Sequence, residues 1–138
     1  MRKERQGGFT LIEILVVLTI LGMLAALVVP RLFRSVDKAR IKTTQAQIAA
    51  FETALATYRL DVGSFPTTAQ GLQVLRHSPP GIENWDGPYL PKEIPLDPWG
   101  RPYVYRSPSE HGDYEIICLG GDGREGGESV DADIVSWK

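Results

Sequence analysis

The sequence contains one cysteine, Cys118, and only two histidines, His77 and His111. A single cysteine excludes an internal disulfide, and the apolar run around it favours a buried structural thiol over a reactive one. Neither histidine has a cysteine or a Ser-x-x-Lys pattern nearby, and both lie in polar, turn-rich segments typical of solvated side chains. Without a nucleophile and base, a membrane-anchored hydrolase is disfavoured. We predict that the chain is not an enzyme.

A basic surplus is also missing, because the formal net charge of the chain is −2. Proteins that bind nucleic acid present strongly basic faces, so we predict no nucleic-acid partner. The glycine-rich segment at residues 120–123 is not a phosphate-binding loop, since no Gly-Lys-Ser/Thr follows it. These absences leave structural and interaction proteins as the favoured classes.

One long apolar run dominates the N-terminal part of the sequence. Residues 9–29 are apolar apart from Thr10, Thr19 and Gly22, and Glu13 is the only charged residue among them. As a helix with a rise of ~1.5 Å per residue, the run would span about 31 Å, enough to cross a membrane. A carboxylate at the centre of a bilayer costs about 2.5–3.5 kcal/mol, so a generic anchor would not carry Glu13.

The residues around the run do not match a secretory signal peptide. The six residues before the glycine pair hold three basic residues and one acid, which the positive-inside rule places in the cytoplasm. No small-residue cleavage site follows the run, whereas Gly7 and Gly8 precede it. Cleavage after Gly8 would remove the basic leader and leave Phe9 as the new N-terminus. The alternative is a single-pass anchor in which Glu13 is incidental.

The segment GFTLIE, residues 8–13, resembles the class III signal of type IV pilins and pseudopilins. The resemblance implies that a prepilin peptidase cuts between Gly8 and Phe9 and methylates the amine of Phe9. We predict that the carboxylate of Glu13 then pairs with the Phe9 amine of a neighbouring subunit, because an unpaired charge in an apolar bundle is costly. The alternative is that Glu13 contacts only the peptidase or a lipid headgroup.

An amphipathic pattern follows the apolar run and predicts one helix from Phe9 to about Leu60. Apolar residues recur at spacings of three and four, and Gly63 and Pro66 are stop signals. Gly22 and Pro30 are the weakest points of this helix, since proline removes a backbone hydrogen bond. The sequence leaves open whether this region only kinks or melts during assembly. The amphipathic stripe consists of Ile41, Thr44, Ile48, Phe51, Leu55 and Tyr58.

The C-terminal part is rich in turns and predicts a small sheet. We expect a short helix at residues 68–76 and strands at residues 102–106, 114–119 and 134–137. The predicted fold class is α+β, with the long helix packed across an antiparallel sheet. The predicted organisation is a leader (1–8), a transmembrane or filament-core helix (9–30) and a periplasmic globular domain (31–138).

Several segments of this domain resemble the major pseudopilins of bacterial type II secretion systems. The resemblance implies a structural subunit of a periplasmic pseudopilus, which drives export of folded proteins across the outer membrane. It also implies an inner-membrane anchor, and as partners further copies, minor pseudopilins, the peptidase, and an assembly platform with its ATPase. The alternative is a type IV pilus subunit for adhesion, motility or DNA uptake, but such pilins usually carry a C-terminal disulfide. The matching segments are residues 65–72, 85–90, 97–103, 119–123, 126–127 and 131–134.

The loop at residues 119–133 is both glycine-rich and acidic. Oxygen ligands on a flexible loop suit calcium better than zinc or magnesium, although the spacing is not that of an EF-hand. Composition alone leaves a solvated acidic loop as an equal alternative, and the resemblance to the major pseudopilins implies calcium here. The expected ligands are the side chains of Asp122, Asp131 and Asp133, with backbone carbonyls from Leu119 and from the stretch between Glu125 and Ser129.

Overall fold

The computed structural model describes residues 7–138, so most of the predicted leader lies outside the described residues. Along this part of the chain lie a long helix, α1 (Leu11–Val62), a 3₁₀ turn (Leu72–Leu75) and two strands, β1 (Val104–Arg106) and β2 (Glu115–Cys118). A second 3₁₀ turn (Ser129–Asp131) and strand β3 (Ile134–Val135) complete the order. The chain divides into two compact units, Met1–Lys38 and Ala39–Lys138.

Helix α1 confirms the predicted long helix and shifts each of its ends by about two residues. Pro30 lies inside the helix, and neither Pro30 nor Gly22 interrupts it in this single chain. At the C-terminal end Gly63 adopts a positive φ of 92° and donates its N–H to the carbonyl of Arg59 at 2.8 Å. This left-handed conformation is the usual glycine cap of a helix, as the predicted stop signal required.

The part of α1 that belongs to the second unit buries one face. Ile48, Phe51, Leu55 and Tyr58 are at most 4% exposed, which confirms most of the predicted amphipathic stripe. The ring of Phe51 meets that of Tyr103 edge to face, with 5.1 Å between ring centroids. These helical residues form a core with buried apolar side chains from the 3₁₀ turn and the sheet.

The three strands form an antiparallel sheet, as predicted, and their order in the sheet is β1-β2-β3. Each strand is shorter than expected. Strand β1 begins at Val104 because Pro102 has no N–H to donate to a ladder. At the other edge, Trp137 stacks on His111 with 3.8 Å between ring centroids and forms no part of β3. The all-buried strand β2 lies at the centre of the sheet and holds Cys118.

The predicted helix at residues 68–76 is wrong, because only Leu72–Leu75 form a 3₁₀ turn. Gly71 has φ 62° and ψ −168°, which are far from helical values. A helix therefore cannot continue through Gly71, and the 3₁₀ turn begins after it. Before it, the side chain of Gln70 accepts the N–H of Thr67 and closes a separate turn. The turn still buries Leu72, Val74 and Leu75 in the core.

Cys118 is fully buried, as predicted for a structural thiol. Burial raises the pKa of Cys118 to about 11, so the thiol stays protonated at neutral pH. A protonated, inaccessible thiol is a poor nucleophile, which agrees with a packing role.

The described core predicts that substitutions at two apolar residues of α1 have very different effects on folding stability. Phe51→Ala should destabilise the fragment 31–138 by about 3–5 kcal/mol, because it removes a fully buried ring. Leu60→Ala is the matched control, since Leu60 is 84% exposed and should change stability by less than about 0.5 kcal/mol. Urea denaturation measures both. Equal effects of the two substitutions would contradict the described core.

Candidate functional site

The predicted cleavage site lies in a short extended segment before α1. Gly8 and Phe9 are exposed, and Phe9 is 79% accessible. Apart from its chain neighbours, no atom of residues 7–138 lies within 4 Å of the position that a Cβ on Gly8 would occupy. Among the described residues, nothing covers the peptide bond between Gly8 and Phe9.

Glu13 takes part in an N-terminal cap that the sequence reading missed. The Thr10 hydroxyl accepts the N–H of Glu13 at 3.3 Å, and the Glu13 carboxylate accepts the N–H of Thr10 at 3.4 Å. This reciprocal pair is a capping box, and the pattern Thr-x-x-Glu at the start of an apolar run could have revealed it. Glu13 thus stabilises the start of α1 in the isolated chain, in addition to any role between subunits.

The apolar run is exposed throughout the first unit. The large apolar side chains from Phe9 to Val29 are between 44% and 79% exposed, and nothing in residues 7–38 covers them. The helix is long and apolar enough to cross a membrane. A soluble chain would not leave such a surface in water, so lipid or other protein copies must cover it.

In the second unit, a buried carboxylate shapes the segment beside the glycine-rich loop. Asp97 is 5% exposed, and its Oδ1 accepts the backbone N–H groups of Trp99 at 2.9 Å and Arg101 at 2.8 Å. Its Oδ2 accepts the thiol of Cys118 at 3.3 Å. The carboxylate fixes a tight turn and thereby aims the side chain of Arg101.

Arg101 holds the start of the glycine-rich loop. Its guanidinium donates to the carbonyls of Gly120 at 2.9 Å and Gly121 at 3.1 Å. A Cβ on Gly123 would lie 2.6 Å from the guanidinium carbon, so this glycine leaves the space that Arg101 fills. Sequence reasoning did not assign Arg101 a role, because nothing in the pattern shows which carbonyls its side chain reaches.

The same loop wraps closely around Asp131. A Cβ on Gly127 would lie 2.2 Å from the carbonyl oxygen of Asp131, and a Cβ on Gly120 would lie 2.7 Å from it. A Cβ on Gly121 would lie 2.6 Å from the Asp131 carboxylate oxygen Oδ1. Three glycines therefore let the backbone approach both the carbonyl and the carboxylate of one predicted ligand.

Asp133 has the one buried side-chain oxygen of residues 7–138 that is orphaned, meaning that it lacks a hydrogen-bond partner. Its Oδ2 accepts the N–H of Gly126 at 2.9 Å, whereas its Oδ1 is buried without a hydrogen-bond partner. A buried carboxylate oxygen without a partner is costly, so an ion or a water molecule is expected beside it. A carboxylate oxygen without a partner is the kind of ligand that calcium takes.

The other predicted ligands are arranged less simply. Asp122 accepts the N–H of Arg124 at 3.0 Å, and the carbonyl of Leu119 accepts the N–H of Gly123 at 3.1 Å. The side chain of Glu125 pairs with Arg106, and Ser129 adopts a positive φ of 58°. No three His, Cys, Asp or Glu side chains converge on one point within the part of the chain described. An ion here would depend on backbone carbonyls as much as on carboxylates.

An ionic network joins the loop to the sheet. Arg106 on β1 contacts both Glu125 in the loop and the buried carboxylate of Glu115 on β2, the latter at 3.2 Å. His111 Nδ1 lies 2.9 Å from the other oxygen of Glu115. The hydrogen bond from His111 is the main cause that lowers the pKa of Glu115, while burial opposes the shift and Arg106 adds to it. His111 is exposed, as predicted, and it also pairs with Glu115, a contact that the prediction did not include.

Comparison with known proteins identifies the family. The family profile described as "Type II secretion system (T2SS), protein G" matches residues 31–137, and the "Prokaryotic N-terminal methylation motif" matches residues 3–29. The chain belongs to the protein G family of type II secretion systems. This membership decides against the type IV pilus alternative and confirms the predicted α+β pilin-like fold.

Relatives cover almost the whole chain. Type II secretion system core protein G of Pseudomonas aeruginosa is 45% identical over 99% of this chain and 99% of its own length. The Vibrio cholerae protein of the same name is 46% identical over 99% of this chain and 94% of its length. A crystal structure of the major pseudopilin from enterohaemorrhagic Escherichia coli superposes with a TM-score of 0.65 at 36% identity. That match covers 78% of this chain and 95% of the solved one.

We predict that substitutions of the two histidines change the pH dependence of folding stability differently. The pKa of Glu115 is lower in the folded protein than its ordinary value of 4.5. The contribution of Glu115 to folding stability is therefore present above pH 4.5 and is lost as the pH falls through the folded pKa. His111→Phe keeps a ring against Trp137 but removes the hydrogen bond, and should cost about 0.5–1.5 kcal/mol near neutral pH. The difference from wild type should shrink below pH 4.5, as urea denaturation at several pH values would show.

His77→Phe is the matched control, because its partner Glu93 is 63% exposed and the pair is screened by solvent. Its effect should be small at every pH. A His111→Phe difference that persists unchanged at pH 3 would show that the effect is only one of packing.

Proposed function

We propose that the chain is a structural, non-enzymatic subunit of the type II pseudopilus, the periplasmic filament that drives folded proteins across the outer membrane. The exposed apolar helix in a chain of the protein G family is the observation that carries this function. The subunit would be stored in the inner membrane by residues 9–30, with residues 31–138 in the periplasm. Heterologous contacts that do not close into a ring generate a helical filament from such subunits.

Several partners follow from this function. A prepilin peptidase would cut between Gly8 and Phe9 and methylate Phe9, which the exposed bond and the methylation motif support. An inner-membrane assembly platform with its ATPase would then extract subunits and add them to the filament base, and minor pseudopilins would complete the filament. The filament would consist mainly of copies of this chain.

Within the filament, Glu13 would pair with the Phe9 amine of a neighbouring copy. In the single chain its carboxylate already accepts the N–H of Thr10, so cap and pair would compete for the same oxygens or share them. An ion pair in an apolar bundle fixes axial register, because a shift would leave both charges unpaired. The region between Gly22 and Pro30 would allow the packed helices to bend or melt locally, with Pro30 lacking an N–H for the helical ladder.

The C-terminal loop would bind calcium. Asp122, Asp131 and Asp133 would supply side-chain oxygens, and backbone carbonyls of Leu119 and of the stretch from Glu125 to Ser129 would complete the shell. The orphaned Oδ1 of Asp133 and the glycine backbone around Asp131 support this proposal. With Cys118 buried and no disulfide possible, the ion would fasten the C-terminal segment to the sheet.

We predict that one substitution blocks processing and that another blocks only assembly. Gly8→Val should leave uncut precursor, because a bulky residue crowds the peptide bond that must enter the peptidase. Glu13→Gln should be cut normally and keep the helix cap, since glutamine also completes a capping box, yet it loses the charge. If the ion pair holds the filament, Glu13→Gln should reduce sheared filaments at least tenfold. Mass spectrometry of the N-terminus and electron microscopy measure the two steps.

Thr10→Ala is the control, because it weakens the cap but leaves the Glu13 charge in place. It should be cut and should assemble. Normal filaments from Glu13→Gln would contradict the ion pair and leave Glu13 with the capping role alone.

The calcium proposal predicts a difference between two neighbouring glycines. Gly126 and Gly127 both have positive φ, at 101° and 80°, so alanine strains the backbone at either position. Only alanine at Gly127 would also collide with Asp131, because nothing lies within 4 Å of a Cβ on Gly126. Calcium at a hundred times its dissociation constant should stabilise wild type by about 2.7 kcal/mol. Gly127→Ala should lose most of this gain, and Gly126→Ala should keep it.

Melting curves of the fragment 31–138 with calcium and with chelator provide the measurement. Asp131→Ala should abolish the calcium-dependent shift. Identical midpoints of the wild-type fragment in both conditions would eliminate the site.

A further inference from the structure

The charge of the chain changes sign shortly after the apolar run. Residues 31–42 hold five basic residues and one acid, a net charge of +4, whereas residues 43–138 hold seven basic residues against 14 acids, a net charge of −7. A molecule with two oppositely charged parts is complementary to further copies of itself in a head-to-tail arrangement. The basic residues are Arg31, Arg34, Lys38, Arg40 and Lys42.

Three of these residues form a basic stripe along α1, defined here as Arg31, Arg34 and Lys38. Their spacing of three and then four residues places them on one face of the helix, over about two turns. All three side chains are exposed. None of the three side chains makes an ion pair or hydrogen bond within residues 7–138, so the basic stripe is available to a partner.

The basic stripe opposes the topology that the family function requires. The leader carries three basic residues, fewer than the five that immediately follow the apolar run. Basic residues lie on both flanks of the run, so the rule that favours a cytoplasmic leader also disfavours moving residues 31–42 to the periplasm. Positive charges directly after the apolar run hinder its insertion into the membrane. We therefore expect these residues to have a role in the periplasm.

We propose that the basic stripe docks on the acidic globular domain of a second copy in the filament, an inference that rests on the proposed function. A lipid surface is the less suitable partner. A helix that continues straight out of the bilayer places Arg31 about 3 Å, Arg34 about 7.5 Å and Lys38 about 13.5 Å beyond Val29, at a rise of ~1.5 Å per residue. Electrostatic attraction to headgroups fades over a Debye length of about 8 Å, so a lipid surface would leave Lys38, at the far end of the basic stripe, without a partner. A stripe that runs along the helix axis fits an upright protein neighbour better than a flat membrane.

The second copy offers suitable acids in its Ala39–Lys138 unit. Glu83, Glu110 and Glu128 are exposed and make no ion pair within the described residues. Several other acids of the unit are already paired, among them Asp113 with Arg59 and Glu93 with Arg76. These three glutamates are therefore among the acids that a neighbouring basic stripe can neutralise.

Charge reversal in the full-length chain, produced together with its secretion system, tests the docking. Arg34→Glu and Lys38→Glu should each reduce sheared filaments at least tenfold, while the membrane-bound, cleaved subunit stays at the wild-type level. Lys92→Glu is the matched control, because it makes the same charge change at an exposed lysine outside the stripe and should assemble normally. Arg34→Lys keeps the charge and should also assemble. Normal filaments from Arg34→Glu and Lys38→Glu would overturn the inference.

A photo-crosslinking residue in place of the exposed Ser35 identifies the partner while leaving the basic stripe intact. The expected product in filaments is a dimer linked to residues 43–138 of a second copy. Links only to lipid, or only to another protein, would overturn the inference. A wild-type chain that forms no filaments under these conditions would refute the proposed function itself, which separates that failure from a failure of the docking surface.

Discussion

One constraint governs the rest of the molecule: within its own unit, residues 7–38 leave the apolar part of α1 uncovered. The large side chains of residues 9–29 are exposed in the described structure, and the core of the Ala39–Lys138 unit is built without them. Such a surface is stable in a bilayer, and outside a bilayer it requires other apolar helices. Storage in a membrane and assembly into a bundle are therefore two solutions to the same physical problem. The only charge within the run, Glu13, has to be satisfied in both environments.

A second constraint concerns the C-terminal loop, which has no disulfide to hold it. The structure shows what replaces the disulfide: Asp97 orders a turn, the turn aims Arg101, and Arg101 holds the carbonyls of Gly120 and Gly121. On the sheet side, Arg106 links Glu115 to Glu125. Polar groups of the chain thus fasten most of the loop, and within the described residues the buried Oδ1 of Asp133 stays without a hydrogen-bond partner.

The sequence predicted what depends on periodicity and composition. The long helix, its buried stripe and the positions of the three strands follow from apolar spacing, and the buried Cys118 from its apolar neighbours. The helix expected at residues 68–76 failed because the φ and ψ of Gly71 override the apolar pattern, a property of the backbone that residue type alone does not show. Arg101 and the pair of His111 and Glu115 were missed because long-range side-chain contacts depend on the tertiary fold. The capping box of Thr10 and Glu13, in contrast, is local and was present in the sequence as Thr-x-x-Glu.

The central claim is that copies of the apolar helix come to cover one another when the chain leaves the membrane. A helical reconstruction of the assembled filament by electron cryomicroscopy tests this most directly. The account predicts that residues 9–29 of many copies form a lipid-free core, with the Ala39–Lys138 units outside. A filament held together by the globular units alone, with residues 9–29 on its surface or still surrounded by lipid, would contradict it.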